Sequence, residues 1–430
     1  MTVNFLIPIA ILAIAFIIKM PIAYGMLLGA FVYFMATGQN TGALMHLIAN
    51  GMMNNYVLLS VPLFIFTANV MNSGAVTDRI FKFANGLCGR YRGGTGYVNV
   101  IASLIFSGMT GSAIADASGL GIMEIEQMKK EGYDDGFSCA ITAASAVIGP
   151  IFPPSIPFVI YATLSGASIG TLFMAGIVPA LFIALALVLY IAYIANKRDY
   201  PRGMQTTLRE FVRDSLRAIP ALLTPVILLT GIYTGVMTPT EAAGIAALYA
   251  LFISILIYRS LDLKELIIIL KDTVRTTASV GMIVAAAYGF SYIVANEHVS
   301  DVVADLVLDL TDNKYVFLLI INIVFLLLGM LLDTSVIQLV FVPIVLPMVN
   351  ALGINLVHFG LLISLNMMIG LLTPPFGMLL FITSGISKTP LKPIIKEAIP
   401  MIGVEVLVLL IITYIPETVL FLPRLLGAAV

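Results

Sequence analysis

The sequence predicts an all-α polytopic membrane protein, built from two inverted-topology repeats that each contain a re-entrant hairpin and a broken helix. Three observations carry this expectation. Of the 430 residues, 60% are hydrophobic and only 10% charged, where soluble domains average roughly 25% charged. The 22 Lys and Arg residues fall in a few clusters, separated by apolar stretches long enough to span a bilayer. Landmark residues also recur at a fixed offset. The composition excludes a soluble globular protein and a disordered one, and the net charge of −1 leaves no basic footprint for nucleic acid.

Taken in order, spans are expected near 3–18, 21–37, 56–75, 136–163, 172–195, 218–237, 240–258, 276–297, 357–384 and 398–423. Basic loops stay cytoplasmic, which places both termini outside. No Lys or Arg precedes the run Phe5–Ile18 and further spans follow at once, so it reads as a span and not as a cleaved signal. Two segments do not fit as single spans. In 93–123 the arm Tyr97–Ser107 has 11 residues, about 17 Å of helix against about 30 Å of hydrocarbon. Gly108-Met109-Thr110-Gly111-Ser112 then reads as a hairpin tip. The segment 315–350 has the same form around Gly329-Met330-Leu331-Leu332-Asp333-Thr334-Ser335.

Shifting the chain by 221 residues brings Gly108-Met109 onto Gly329-Met330, Gly149 onto Gly370, Pro153-Pro154 onto Pro374-Pro375 and Pro179 onto Pro400. With a two-residue slip Val76-Thr77-Asp78 meets Val299-Ser300-Asp301. Several matches at one offset indicate two related halves. The loop 79–92 is basic, whereas 300–313 holds Asp301, Asp305, Asp309 and Asp312 before Lys314; the loop 167–175 is uncharged, whereas 388–396 has three lysines. Each basic loop therefore faces a non-basic one, so the halves should run oppositely through the membrane, the signature of a secondary transporter. The division read from this is 1–92 as N-terminal scaffold and 93–195 as the first core repeat, with hairpin 93–123 and broken helix 136–163. The stretch 196–297 supplies the connector and further scaffold, and 315–423 the second core repeat, with hairpin 315–350 and broken helix 357–384.

Chemistry is expected where helices break. Gly149-Pro150-Ile151-Phe152-Pro153-Pro154-Ser155 and Gly370-Leu371-Leu372-Thr373-Pro374-Pro375 cannot hold unbroken helices, because each proline removes a backbone donor. Freed carbonyls beside small hydroxyls suit a hard cation such as Na⁺. One Na⁺ site is assigned to Ser103, Ser107, Gly108, Ser112 and Gly149, the other to Gly329, Asp333, Thr334, Gly370 and Thr373; Thr110, Asp116, Pro154, Ser155 and Pro375 are the candidates for contacting the solute. Small hydroxyl residues equally let helices pack closely, and Asp116 reads as a helix cap as readily as a site residue. Glu405 lies in the last span and fits a polar cavity. No Lys or Arg lies in the hydrophobic core, so an anion would meet helix N-termini, bound cations and hydroxyls. The two cysteines and three histidines show no metal spacing, Gly25-x-x-x-Gly29 is a common packing motif, and no phosphate loop or catalytic constellation is present; an enzyme is not expected and no cofactor is, apart from Na⁺ as coupling ion.

The runs Phe106-Ser107-Gly108-Met109-Thr110-Gly111-Ser112-Ala113-Ile114-Ala115-Asp116, Gly149–Ser155, Thr238-Pro239-Thr240-Glu241-Ala242-Ala243 and Gly370–Pro375 resemble the large membrane subunit of the tripartite ATP-independent periplasmic (TRAP) transporters. The resemblance covers nearly the whole chain. It implies a multi-pass permease of the bacterial inner membrane that takes up carboxylate solutes on a Na⁺ gradient by an elevator mechanism. It also implies a separate small membrane subunit and a soluble periplasmic binding protein. Sialic acid and C4-dicarboxylates are both open as solutes, with sialic acid ahead on overall resemblance. The alternatives are a Na⁺/dicarboxylate symporter that needs no binding protein, and a channel, for which the chain lacks a ring of repeated charges.

Overall fold

The computed structural model describes residues 3–72, 74–203, 206–300, 302–303 and 313–428. Among these every regular element is helical, joined by short turns and one isolated bridge between Arg92 and Arg202. The acidic positions Asp301, Asp305, Asp309 and Asp312 lie outside the described residues. Six helices are long and apolar enough to cross a membrane, or up to eight if two bent helix pairs each count as one span. The chain is thus a multi-pass membrane protein.

The first helices, α1 (Val3–Ile17) and α2 (Ile22–Ala36), match the expected spans. A helix the sequence reading omits follows: α3 (Thr41–Met53) is capped by Asn40, whose side chain accepts from Gly42 N–H at 2.8 Å. It meets the next pair, the 3₁₀ turn Tyr56–Leu59 and α4 (Ser60–Met71), at 63°. Helix α5 (Gly74–Cys88) leads into the first hairpin.

That hairpin turns inside the expected tip, 108–112, but its arm is longer than expected. Its outward arm α6 (Gly94–Thr110) has 17 residues, about 26 Å of helix, and continues through Gly108. Gly108 lies inside the helix and serves there as a close-packing point: a Cβ would lie 2.9 Å from Pro225 Cβ and 3.3 Å from the Phe152 ring. The turn comes at Gly111, φ +59°, which only glycine adopts without strain. The return arm is broken at Gly119 into α7 (Ala113–Ser118) and α8 (Leu120–Lys130). After it come α9 (Asp135–Ala146), an irregular break, α10 (Ile156–Ser165) and the long α11 (Ile169–Lys197).

Helix α12 (Leu208–Tyr233) begins ten residues before the expected span at 218, and α13 (Pro239–Phe252) runs on into a π turn, Ile253–Ile257. Both start on capping boxes, Thr207/Glu210 and Thr238/Glu241, which satisfy orphan N–H groups reciprocally. The Thr-Pro-Thr-Glu motif is thus a helix start. Helix α14 (Leu263–Asn296) has 34 residues and absorbs a charged stretch expected as loop, Leu263–Arg275. The second hairpin is α15 (Lys314–Leu331) and α16 (Thr334–Ala351), turning at Leu332-Asp333 within the expected tip 329–335. It is followed by α17 (Leu356–Leu372), a break, α18 (Met378–Ser387), α19 (Leu391–Tyr414) and α20 (Glu417–Leu425). The expected single span 398–423 is bent by 62° between the last two.

One end of the molecule is tied by polar contacts. Arg198 reaches Asp134 at 3.0 Å and grips both oxygens of Glu397 at 3.0 and 2.9 Å, while Tyr200 O–H donates to Asp134 at 2.6 Å. Burial and that hydrogen bond push the Tyr200 phenol above its ordinary value. Lys129 donates to Thr389 Oγ1 at 2.9 Å. On its other side the connector meets the α5–α6 corner: Gly93 N–H donates to Pro201 O at 3.0 Å, Arg92 pairs with Asp199, and the Phe83 and Phe211 rings stack at 6.2 Å.

Candidate functional site

A cavity of about 340 Å³ opens between the two hairpin turns. The first hairpin supplies Thr110–Ala115 and the second Asp333–Ser335; Pro150, Ile156 and Pro157 come from the first break, Met368 and Leu371 from α17. The opposite wall includes Asn69 and Asn72 at the end of α4, with Thr276 and Val280 of α14. Its volume is in the range of small-molecule sites. No Lys, Arg or His lines it among the described residues, and its one acid is Asp333.

Each turn caps the helix it opens. Ser112 Oγ accepts from Ala115 N–H at 3.3 Å, and Asp333 Oδ1 accepts from Ser335 N–H at 2.9 Å. The breaks pack on the hairpins through glycine. A Cβ on Gly149 would sit 3.3 Å from Ala113 N, and one on Gly111 would sit 2.4 Å from Pro154 O. In the second half a Cβ on Gly370 would lie 2.6 Å from the Cα and C of Gly329. Each approach needs a glycine on at least one side, and at Gly329 and Gly370 both backbones are bare. The Pro153–Pro154 and Pro374–Pro375 peptide bonds are both cis.

The candidate residues divide by environment. Thr110, Ser112, Asp333 and Thr334 line the cavity. Ser103 lies deeper: its Oγ donates to Ser145 Oγ at 3.1 Å, Ser145 donates to Asn99 Oδ1 at 2.8 Å, and Asn99 Nδ2 donates to Thr142 at 2.7 Å. Ser107 Oγ donates to Ser103 O at 2.6 Å and Thr373 Oγ1 to Ile369 O at 2.6 Å. A hydroxyl that donates its proton keeps its lone pairs, so both oxygens remain able to meet a cation. Ser155 is fully buried and caps α10, accepting from Phe158 N–H at 3.2 Å and donating to Pro150 O. Pro154 packs on Gly111, and Pro375 is exposed; neither lines the cavity.

Asp116 does not cap a helix: Ser112 performs that role for α7, and Gly119 has no side chain to cap α8. Asp116 and Glu124 are both 1% exposed, with no hydrogen-bond partner on any carboxylate oxygen among the described residues. Glu405 is likewise fully buried and unpartnered, so it does not face an open polar cavity. Sequence reasoning missed Asn69, Asn72 and Thr276. The signal available for the first two was a pair of asparagines three apart inside an apolar run, one face of one helix.

The pattern of the tripartite ATP-independent periplasmic transporter DctM component matches residues 5–418. The chain is 42% identical over 409 residues to the sialic acid TRAP transporter large permease protein SiaM of Vibrio cholerae, covering 94% of this chain and 95% of that protein. It is 38% identical to the sialic acid TRAP transporter permease protein SiaT of Haemophilus influenzae, over 95% of this chain and 66% of that one. It is 36% identical to the C4-dicarboxylate TRAP transporter large permease protein DctM of Pseudomonas aeruginosa, over 87% of each. Among solved structures, the YdaH transporter of Alcanivorax borkumensis superposes with a TM-score of 0.61 at 15% identity, over 88% of this chain and 87% of that one, a likeness of fold.

Proposed function

The chain belongs to the DctM component family of the tripartite ATP-independent periplasmic transporters and is a transporter permease, not an enzyme; from that premise we propose that it carries a carboxylate solute of the sialic acid class across the bacterial inner membrane, driven by Na⁺. The observation that carries this reading is the cavity framed by both hairpin turns. It has hydroxyl and amide groups and no basic side chain, so an acid bound there meets hydrogen-bond donors and needs a cation as company. The first Na⁺ is assigned to Ser103, Ser107, Gly108, Ser112 and Gly149 and the second to Gly329, Asp333, Thr334, Gly370 and Thr373. Support comes from the hairpin–break packing at Gly149 and Gly370 and from the free lone pairs of Ser107 and Thr373. Bound Na⁺ supplies positive charge beside the solute carboxylate; the chain's own part is to orient solute and exclude lipid. The identity to SiaM and SiaT favours sialic acid over the C4-dicarboxylates.

The mechanism proposed is an elevator. Residues 93–195 and 315–423 form two inverted repeats that move together against 1–75 and 218–297. The equivalent helix starts support the repeat: α7 begins at Ala113 and α16 at Thr334, α9 at Asp135 and α17 at Leu356, each pair 221 apart. Lys129 bonding Thr389 directly, and Arg198 of the connector bridging Asp134 to Glu397, support motion of the two repeats as one body. A separate small membrane subunit and a periplasmic binding protein complete the transporter.

The test is uptake into vesicles containing this chain, its small subunit and the binding protein. Sialic acid should enter only with an inward Na⁺ gradient and binding protein present, and excess succinate should compete weakly. Robust uptake without the binding protein supports the independent symporter instead, and succinate preference moves the chain to the dicarboxylate class.

A further inference from the structure

Helix α14 is longer than a bilayer requires. Its 34 residues reach about 51 Å against about 30 Å of hydrocarbon. From 276 to 296 it carries no charge and fills the hydrocarbon by itself, which leaves Lys271 and Arg275 at headgroup level. The turns that emerge before them carry Lys264 and Glu265 at the helix start but are otherwise apolar, unlike a helix entering water. Leu263, Ile267, Ile268, Leu270 and Val274 are all exposed, Leu263 by 73% and Val274 by 66%.

A shallow groove of about 370 Å³ runs along this face, with Ile267, Leu270 and Val274 as its apolar floor and Lys271 and Arg275 on its edge. The two cations are four residues apart and so share one face of the helix. Neither pairs with a carboxylate among the described residues. Asp272 lies between them and is exposed but within ion-pair reach of neither, and Glu265, further back, is engaged at the helix start, accepting from Asp262 N–H at 3.2 Å. The start of α12 repeats the pattern: Leu208, Val212 and Leu216 are exposed beside Arg209, Arg213 and Arg217. Tyr258, just before α14, donates to Arg217 O and accepts from Ala221 N–H, both at 3.0 Å, so the two helix starts stand at the same end of the molecule.

We propose that this groove binds an anionic phospholipid, with an acyl chain along Ile267, Leu270 and Val274 and the phosphate held by Lys271 and Arg275. Charge complementarity selects the occupant. Two cations without an ion-pair partner among the described residues, in a stretch 263–275 whose three bases outnumber its two acids, sit where an anionic leaflet presents its phosphates, and the apolar floor lies beside them, as a lipid's chain lies beside its headgroup. The groove shares no residue with the transport cavity, whose wall begins on the same helix at Thr276, and its proposed occupant is independent of the solute carried.

The test places the full chain in nanodiscs of phosphatidylcholine with a minority of phosphatidylglycerol and measures which lipids remain bound after detergent exchange. The wild type should retain phosphatidylglycerol preferentially. Lys271→Gln with Arg275→Gln should cut that preference roughly 30-fold, about fivefold per cation. Ile267→Ser with Val274→Ser should lower retention of both lipids, and Lys388→Gln should change nothing. An unchanged preference in the double glutamine variant, or an equal drop in Lys388→Gln, overturns the proposal. Stoichiometric displacement of the retained lipid by the small membrane subunit also overturns it, because the groove is then a protein contact.

Discussion

Adding one methyl group at Gly119 tests the elevator reading directly. Gly119 separates the two pieces of the first hairpin's return arm, and Asn72 caps the end of α4, which the proposal assigns to the fixed scaffold. A Cβ on Gly119 would fall 1.8 Å from Asn72 Oδ1, 2.5 Å from its Cγ and 2.6 Å from its Nδ2. A carbon and an oxygen need about 3.3 Å even in their closest favourable contacts, so the two parts must separate by roughly 1.5 Å or Asn72 must leave its place. The backbone itself accepts alanine, with φ at −95°. Overpacking of this kind costs about 1–3 kcal/mol. If the hairpin slides past α4, the clash exists in this arrangement only, and that energy becomes a bias of about fivefold to 150-fold toward the other state. Spin labels at exposed positions Lys130 and Lys264 should report a redistributed distance in Gly119→Ala, with slower net uptake. Asn72→Ala removes the obstructing amide and should restore the distance distribution in the double variant; uptake is not the readout there, because Asn72 lines the cavity. An unchanged distance distribution, or a double variant no closer to wild type than Gly119→Ala alone, would refute the sliding contact.

Three further outcomes are expected. Thr373→Ala and Ser107→Ala should each raise the Na⁺ concentration for half-maximal uptake about tenfold to 100-fold, from about 1–3 kcal/mol per lost ligand, while Thr234→Ala does not; wild-type Na⁺ dependence in both core variants leaves their hydroxyls as packing groups. Arg198→Gln removes a bidentate grip on Glu397 and should loosen the link between the two halves, read as faster amide exchange in 391–398 with solute binding retained. The Thr207 hydroxyl and backbone N–H hold Glu210 below the usual carboxylate range. The capping box is therefore complete above about pH 4.3 and is lost as pH falls through the lowered value. Glu210→Gln should abolish this acid-induced fraying of the first turn of α12 as seen by hydrogen exchange.

Much of this architecture is legible in one dimension. An all-α membrane class follows from 60% hydrophobic residues, because such a chain has nowhere else to place its surface. The two breaks follow from Pro153-Pro154 and Pro374-Pro375, since each proline lacks the donor that a continuous helix needs. Glycine is where sequence reasoning ends. Gly108 and Gly111 are the same residue three positions apart, yet the first continues a helix and the second ends it. Pro225 and Phe152 press on the bare Cα of Gly108 inside the helix, while Gly111 turns to φ +59° against Pro154. Gly329 likewise lies inside a helix, with Gly370 backbone upon it. The cavity wall at Asn69 and Asn72, and the burial of Asp116, Glu124 and Glu405 without a hydrogen-bond partner among the described residues, also depend on neighbours distant along the chain. Periodicity and backbone donors are properties of a segment and can be read from it; a close approach is a property of two segments, and only their packing in space decides it.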